Sequence, residues 1–400
     1  MKKTLLSALI GATLSGSAFA QSSVTLYGLI DSGFVINSNA GGKRQFEMTS
    51  GNLQGSRWGM TGTEDLGGGL QVLFKLESGY TVNNGALGQG GDLFGRAAWV
   101  GLHNDQYGAL LLGRQYDPVT VSLAQFTSAG AAGNGEVTEW AGPFGAHPAD
   151  LDNLGGTNRT NNSIKYNSPD FHGLTFSAFY SLGGVAGNFT QNQIYSFASV
   201  YRHGGFAAGV GYMNQRDPNY SYWGDKPSSA TATSASSLNM SSPVISGLAS
   251  AGLMQGIVAG ALYNFGSVTL KGAYSNVRYQ DLGHEPGNGL NPQHLSGESI
   301  FNIGEISASY HLTPAFQLGA SYALTNRSSV GALENATYNQ VNLAADYALS
   351  KRTDLYLVAI YQHASGQDTT GKSAVAAIDG LTASSNDRQF ATTFGIRHRF

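Results

Sequence analysis

The side chains best suited to act on other molecules are cations: Arg57, Lys75, Arg96, Arg114, Arg159 and Lys165. Most sit in or beside segments where apolar and polar residues alternate with a period of two, the pattern of a strand with one greasy and one wet face. In Arg57-Trp58-Gly59-Met60-Thr61, Trp58 and Met60 take the greasy face, which sends Arg57 to the wet one. In Arg96-Ala97-Ala98-Trp99, the same rule puts Trp99 on the greasy side and Arg96 on the wet side. Lys75, Lys165 and Lys271 also fall on polar faces. Arg114 and Arg159 bracket a long segment carrying the acids Asp117, Glu136, Glu139, Asp150 and Asp152. Cations facing acids across a narrow wet passage create a transverse field that sorts small charged solutes by sign and size. Taken one at a time, the same residues read equally as scattered, solvated charges.

Bond-making chemistry finds no such support. The nine His are dispersed, with no H-x-x-x-H pair or other metal spacing, so no metal site is expected. No G-x-S-x-G elbow occurs, and no Ser-His constellation shares a face. The Gly runs precede no helical pattern, so they read as turns rather than phosphate cradles. The expectation is no catalytic residue, no cofactor and no enzyme.

The segment from Asp117 to about Arg159 shows no sustained period, and connections beyond about 12–15 residues are usually functional or disordered. It holds Phe126, Trp140, Phe144 and Leu151, which a disordered linker would not need. It therefore reads as a loop that folds inward and narrows a lumen. The plainer alternative is a long surface loop capping a β-domain.

Composition narrows the class. Only 12% of the 400 residues are charged, about half the usual share, while 41% are hydrophobic. With 55 Gly and 39 Tyr plus Phe (20 and 19), this fits a sheet with one polar and one apolar face. The absence of Cys rules out disulfides and thiolate metal sites. A formal charge of −3, or −5 without Lys2 and Lys3, argues against a nucleic-acid partner. Met1-Lys2-Lys3, the apolar run from Leu5 and the small-residue site Ala18-Phe19-Ala20 read as a cleaved export signal over 1–20, leaving one domain over 21–400. Past residue 20 no apolar stretch makes a convincing transmembrane helix; Gly247–Phe265 reads as a loop end plus a strand.

Alternation recurs from Val24 to Phe400 in segments of about ten residues, enough when tilted to cross an apolar band of ~25 Å. Tight turns such as Asn104–Gly108, His203–Gly205 and Ser350–Thr353 alternate with long connections near 37–54, 80–93, 117–161, 182–192, 214–253, 280–299, 326–336 and 364–387. The Ser- and Thr-rich 214–253 stretch is expected to be mobile. Short turns on one rim and long loops on the other describe an all-β, antiparallel transmembrane β-barrel of sixteen strands. Tyr201, Tyr212, Tyr263, Phe265, Tyr310 and Tyr347 cluster near segment ends, as in aromatic girdles. Lipid admits no open sheet edge, so the first and last strands must pair. A barrel of that size encloses water.

Seven motifs carry a resemblance. They are Ser23-Val24-Thr25-Leu26-Tyr27-Gly28, Gly55-Ser56-Arg57-Trp58-Gly59, Gly62 to Leu70, Leu112-Gly113-Arg114-Gln115, Asn162 to Pro169, Leu349-Ser350-Lys351-Arg352-Thr353 and Gly395 to Phe400. In this order they resemble the general trimeric porins of the beta-proteobacterial outer membrane, over the whole chain after residue 20. The resemblance implies a homotrimer in the lipid and lipopolysaccharide of the outer membrane. It also implies a third external loop folded into the pore and a basic cluster at Arg57, Arg96 and Arg159. That loop varies too much between members to carry over individual acids, and the long 214–253 and 364–387 loops depart from shorter members.

The leading expectation is passive diffusion of small hydrophilic solutes and ions, with anions preferred. A secreted soluble β-rich binding protein and a substrate-selective barrel are the alternatives.

Overall fold

The computed structural model describes residues 23–130, 140–223, 238–285 and 289–400, so the export signal expected over 1–20 lies outside the described residues. The first half of the sheet contains β1 (Ser23–Ala40), β2 (Lys43–Ser50), β3 (Arg57–Gly67), β4 (Leu70–Gly79), β5 (Ala97–Asn104), β6 (Gly108–Gln115), β7 (Thr160–Asn167) and β8 (Leu174–Ser181). The second half contains β9 (Ile194–His203), β10 (Phe206–Arg216), β11 (Leu253–Phe265), β12 (Val268–Gln280), β13 (Ser299–Thr313), β14 (Phe316–Arg327), β15 (Ala336–Ala348), β16 (Thr353–Gly366) and β17 (Arg388–Arg399). Every pairing is antiparallel, and β17 closes on β1 from Leu29↔Arg399 to Asn37↔Ala391. Phe400 completes the seam. Its N–H donates to the Gly28 carbonyl at 3.0 Å, and its carbonyl accepts from the Gly28 N–H at 3.1 Å.

Both β2 and β3 pair with β1, so together they make one wall strand, and the barrel has sixteen. This corrects the expectation of a long loop near 37–54. The chain turns tightly at Gly41-Gly42, and the real interruption is Gly51 to Ser56, which steps into the lumen. Asp31 holds that step, its Oδ2 accepting the N–H groups of Leu53 and Gln54 at 2.8 and 2.7 Å.

The two faces follow the alternation. Val24, Leu26, Val100, Ile306 and Leu343 point outward and are exposed, while Glu77, Lys165, Lys271, Glu305 and Asn342 are turned inward and largely covered. No helix among the described residues is long and apolar enough to cross a membrane. Sheet closure in lipid follows from the need to pair every backbone group.

The described parts of the third external loop, 117–130 and 140–159, do enter the barrel, and they carry more structure than their aperiodic sequence suggests. Asp117 caps a short helix, α1 (Pro118–Leu123), accepting from the Val119 and Thr120 N–H groups. Val119, Leu123 and Phe126 are fully buried against the inner wall of β9 to β12. Glycines on β10, β11 and β14 make the room. A Cβ at Gly211 would lie 2.8 Å from Leu123 Cδ1, one at Gly260 2.6 Å from Phe126, and one at Gly319 2.3 Å from the Trp140 ring. Each buried side chain of this size contributes roughly 1.5–3 kcal/mol. Gly260→Leu and Gly319→Leu are therefore each expected to push the loop off the wall and raise single-channel conductance. Unchanged conductance in both variants would contradict this seating.

The described parts of the 214–253 stretch are packed rather than loose. Tyr220, Tyr222, Trp223, Met240, Ile245 and Leu248 join Leu282, Leu290, Leu295 and Leu333 in an apolar cluster of external loops. The Ser- and Thr-rich residues 224–237, on which the expectation of mobility chiefly falls, lie outside the described residues.

Candidate functional site: the lumen constriction

A pocket of about 480 Å³ lies between the inserted loop and the wall of β3 to β7. Arg57, Lys75, Arg96, Arg159 and Lys165 line it, together with one carboxylate among the described residues, Glu77. Arg57 comes from the start of β3, where Nε donates to the Gly55 carbonyl at 2.9 Å and pins the guanidinium beside the inward step. Arg96 stands just before β5, and its Nε donates to Glu77 Oε1 at 2.8 Å. Lys75 and Glu77 share the inner face of β4, with Nζ 3.3 Å from Oε2. The Tyr27 hydroxyl donates to the same Oε2 at 2.8 Å. Glu77 is thus satisfied from three sides and neutralises part of the cluster.

Arg159 leaves the loop just before β7. Its guanidinium lies 4.6 Å from the centre of the Tyr116 ring and donates to the Tyr116 hydroxyl, while Nη1 donates to the Thr157 carbonyl at 2.9 Å. Lys165 Nζ donates to the Tyr116 carbonyl at 3.0 Å. Tyr116 therefore orients two cations at once. The loop face across the pocket is small and uncharged among the described residues: Val121, Ala129, Pro143, Gly155, Gly156 and Thr157.

Five of the six expected cations are brought together. Arg114 is not. It shares the outward direction of Leu110 and Leu112, and its guanidinium donates to the Gly95 carbonyl at 2.7 Å and to Asn161 Oδ1 at 2.7 Å. The register shift beside Gly113, which has φ +137, separates it from the lumen-facing Gln115. Trp99 is a second correction. Val100 and Leu102 take the exposed outer face, so Trp99 points inward and lines the pocket. The expectation failed because Arg96 lies outside the strand, where alternation no longer applies.

The loop acids are also placed differently. Asp117 spends its carboxylate on the α1 cap and on the Thr120 hydroxyl at 3.0 Å. Asp150 accepts from Gly155 and Thr157 N–H, at 2.8 and 2.9 Å. Asp152 accepts from the Ser275 hydroxyl at 2.5 Å and pairs with His147 Nδ1 at 2.8 Å. These carboxylates hold the loop, and of the three only Asp117 also lies close enough to a pocket cation, Lys165, to act on its charge. Glu136 and Glu139 lie outside the described residues. Glu77 alternates onto the same polar face as Lys75, which is the signal that could have found it as the constriction's carboxylate, and Tyr116 gave no signal.

The far side of the loop is bolted to the opposite wall. Glu305 accepts from the Ser128 N–H at 2.7 Å and from His147 Nε2 at 3.0 Å. Asn342 Nδ2 donates to the Gly145 carbonyl at 3.0 Å, Gln340 Nε2 donates to the same carbonyl at 3.0 Å, and Lys271 Nζ donates to the Thr127 carbonyl at 3.3 Å. Burial disfavours a charged His147 imidazole, but the flanking Asp152 and Glu305 outweigh it and hold the pKa well above the ordinary value.

A closed barrel, an apolar exterior and a polar lumen narrowed by an inserted loop that faces a cation-lined wall define an outer-membrane channel. A family model described as Gram-negative porin matches residues 6–367, and the chain belongs to that family. It is 35% identical over 228 residues to an outer membrane porin protein of Bordetella pertussis, covering 54% of this chain and 57% of that one, little more than half its length. It is 28% identical over 406 residues to outer membrane porin protein 32 of Delftia acidovorans, covering 100% of both. Among solved structures, an anion-selective porin from Comamonas acidovorans shares the fold with TM-score 0.69 at 23% identity, over 95% of this chain and 100% of that one. A trimer form of OmpT from Vibrio cholerae shares it with TM-score 0.62 at 15% identity, over 95% and 99%.

Proposed function

We propose that the channel passes small hydrophilic solutes by passive diffusion, favours anions, catalyses no reaction and works as a homotrimer. The observation that carries the anion preference is the pocket lining: five cations against the single described carboxylate, Glu77. In a narrow, partly desolvated passage such an excess attracts anions and repels cations more strongly than it would in bulk water. The Comamonas porin with the same fold is named anion-selective, which agrees with this reading.

Strand length supports the trimer. Strands β5, β6, β7 and β8 have eight residues each, against twelve to fifteen for β12 to β17. Eight tilted residues cover only ~20 Å of an apolar band of ~25 Å. A wall that low is better covered by protein than by lipid.

The direct test is a reversal potential across a planar bilayer in a potassium chloride gradient. The expected sign is that of chloride permeating faster. A potassium-favouring potential would overturn the anion preference.

A further inference from the structure

The external loops that follow β10 and β12 bring together a second set of interacting side chains, far apart in sequence and so invisible to any spacing rule. Asp217, His284 and Glu285 each offer one ligand atom, and these atoms all lie within 4.8 Å of one another. Asp217 is 5% and Glu285 8% exposed, so two carboxylates are withdrawn from water side by side. Glu285 makes no side-chain hydrogen bond among the described residues, and its carboxylate faces the cluster. Burial pushes the Asp217 carboxyl above its usual range, and burial together with the Asp217 charge does the same to Glu285. Such a pair calls for a cation.

The donors are held in place. Asp217 Oδ2 accepts from the Asn192 N–H at 3.1 Å, which leaves Oδ1 to face the cluster. The Asp217 N–H donates to the Gly252 carbonyl at 3.0 Å, and the His284 ring lies over Gly252, where a Cβ would sit 2.8 Å from the ring. The Glu285 N–H donates to the Ser250 carbonyl at 3.2 Å. His284 Nε2 stands 3.8 Å from Asp217 Oδ1, too far for a hydrogen bond. Two ligands on a tetrahedral zinc ion with bonds of about 2.0–2.1 Å are separated by roughly 3.3 Å, so the His284–Asp217 pair needs a shift of a few tenths of an ångström, and the Glu285 oxygen, within 4.8 Å of both, moves in by up to about 1.5 Å. The His284 side chain is 58% exposed, which leaves a hydrated ion a route in.

We propose that Asp217, His284 and Glu285 form a binding site for one divalent transition-metal ion, best suited to Zn²⁺, that staples two external loops at the channel mouth. One imidazole and two carboxylates match zinc, with water as the fourth ligand, whereas Ca²⁺ and Mg²⁺ favour all-oxygen shells. The site is independent of the constriction and of its ion preference.

The test is calorimetric titration of Zn²⁺ into the full chain, folded in detergent and stripped of metal with EDTA. The expected result is one Zn²⁺ per chain, displaced by neither Ca²⁺ nor Mg²⁺ at equal concentration. His284→Ala removes an exposed ring and Glu285→Gln is isosteric, so both are expected to fold. Each should weaken binding about a hundred-fold, at least the loss seen when outer-shell partners are removed. X-ray absorption at the zinc edge should show one nitrogen and the remainder oxygen donors. No binding, or binding that both variants leave intact, would overturn the proposal.

Discussion

Replacing Arg57, Lys75 and Arg159 together by glutamate should reverse the sign of the reversal potential. The wild-type pocket sets five cations against Glu77. The triple variant would leave Arg96 and Lys165 against four carboxylates. A unit charge about 5 Å from a permeating ion contributes on the order of 1 kcal/mol at a dielectric between those of water and protein, roughly a five-fold change in relative permeability. Single substitutions such as Arg57→Ala should therefore weaken anion preference without reversing it. Arg114→Gln is the natural control, because Arg114 lies outside the pocket and bonds Gly95 and Asn161. If the triple variant kept the wild-type sign, the pocket would not be the selectivity filter. An equal change in Arg114→Gln would point to the chain's overall charge instead.

The second large effect concerns the loop's attachment. His147 joins Asp152 on the loop to Glu305 on β13, through contacts of 2.8 and 3.0 Å, and all three are buried. Removing one member of such a set typically costs 3–5 kcal/mol, because a charge stays buried without its partner. Glu305→Leu should therefore loosen the loop and turn a quiet open level into flickering between several. The pH dependence has two ends. The His147 pKa is raised, so its contribution is complete below the ordinary histidine range and disappears as pH climbs through the raised value. Asp152 is pushed up by burial but pulled further down by the His147 charge and hydrogen bond, so its pKa is lowered. Its contribution is present above the ordinary aspartate range and is lost as pH falls through the lowered value. The open level should be steady across neutral pH and grow noisy at both extremes. In His147→Gln the alkaline onset should vanish. Persistence of that onset in single-channel traces would move its cause elsewhere.

Much of this was legible in the sequence, for physical reasons. In an oil-facing strand, Val24, Leu26, Phe394 and Phe400 must point one way and Asp31, Glu77 and Arg397 the other, so strand existence, closure and the inward direction of Arg57, Lys75 and Lys165 could be read from spacing. The rule fails where the backbone leaves the ladder. Arg96 precedes its strand and Gly51 to Ser56 departs from the wall, and the misplacements of Trp99 and the 37–54 stretch trace to these two places, whereas Arg114 was placed by its nearness to the long loop although alternation with Leu110 and Leu112 turns it away from the lumen. The loop acids were misread for a different reason. Charge alone does not distinguish a carboxylate facing a cation from one that caps a helix or closes a turn, and Asp117 and Asp150 do the latter.

The inserted loop is fastened to β12 through β15, while the charges that meet a passing ion stand on or beside β3 to β7, Arg159 at the loop's end among them. Groups that share no partner usually contribute independently. Variation on one bank can therefore retune which ions pass while the other bank keeps the aperture's width. A descendant of this chain could change its diet of solutes in a few substitutions without first surviving a collapsed or gaping pore.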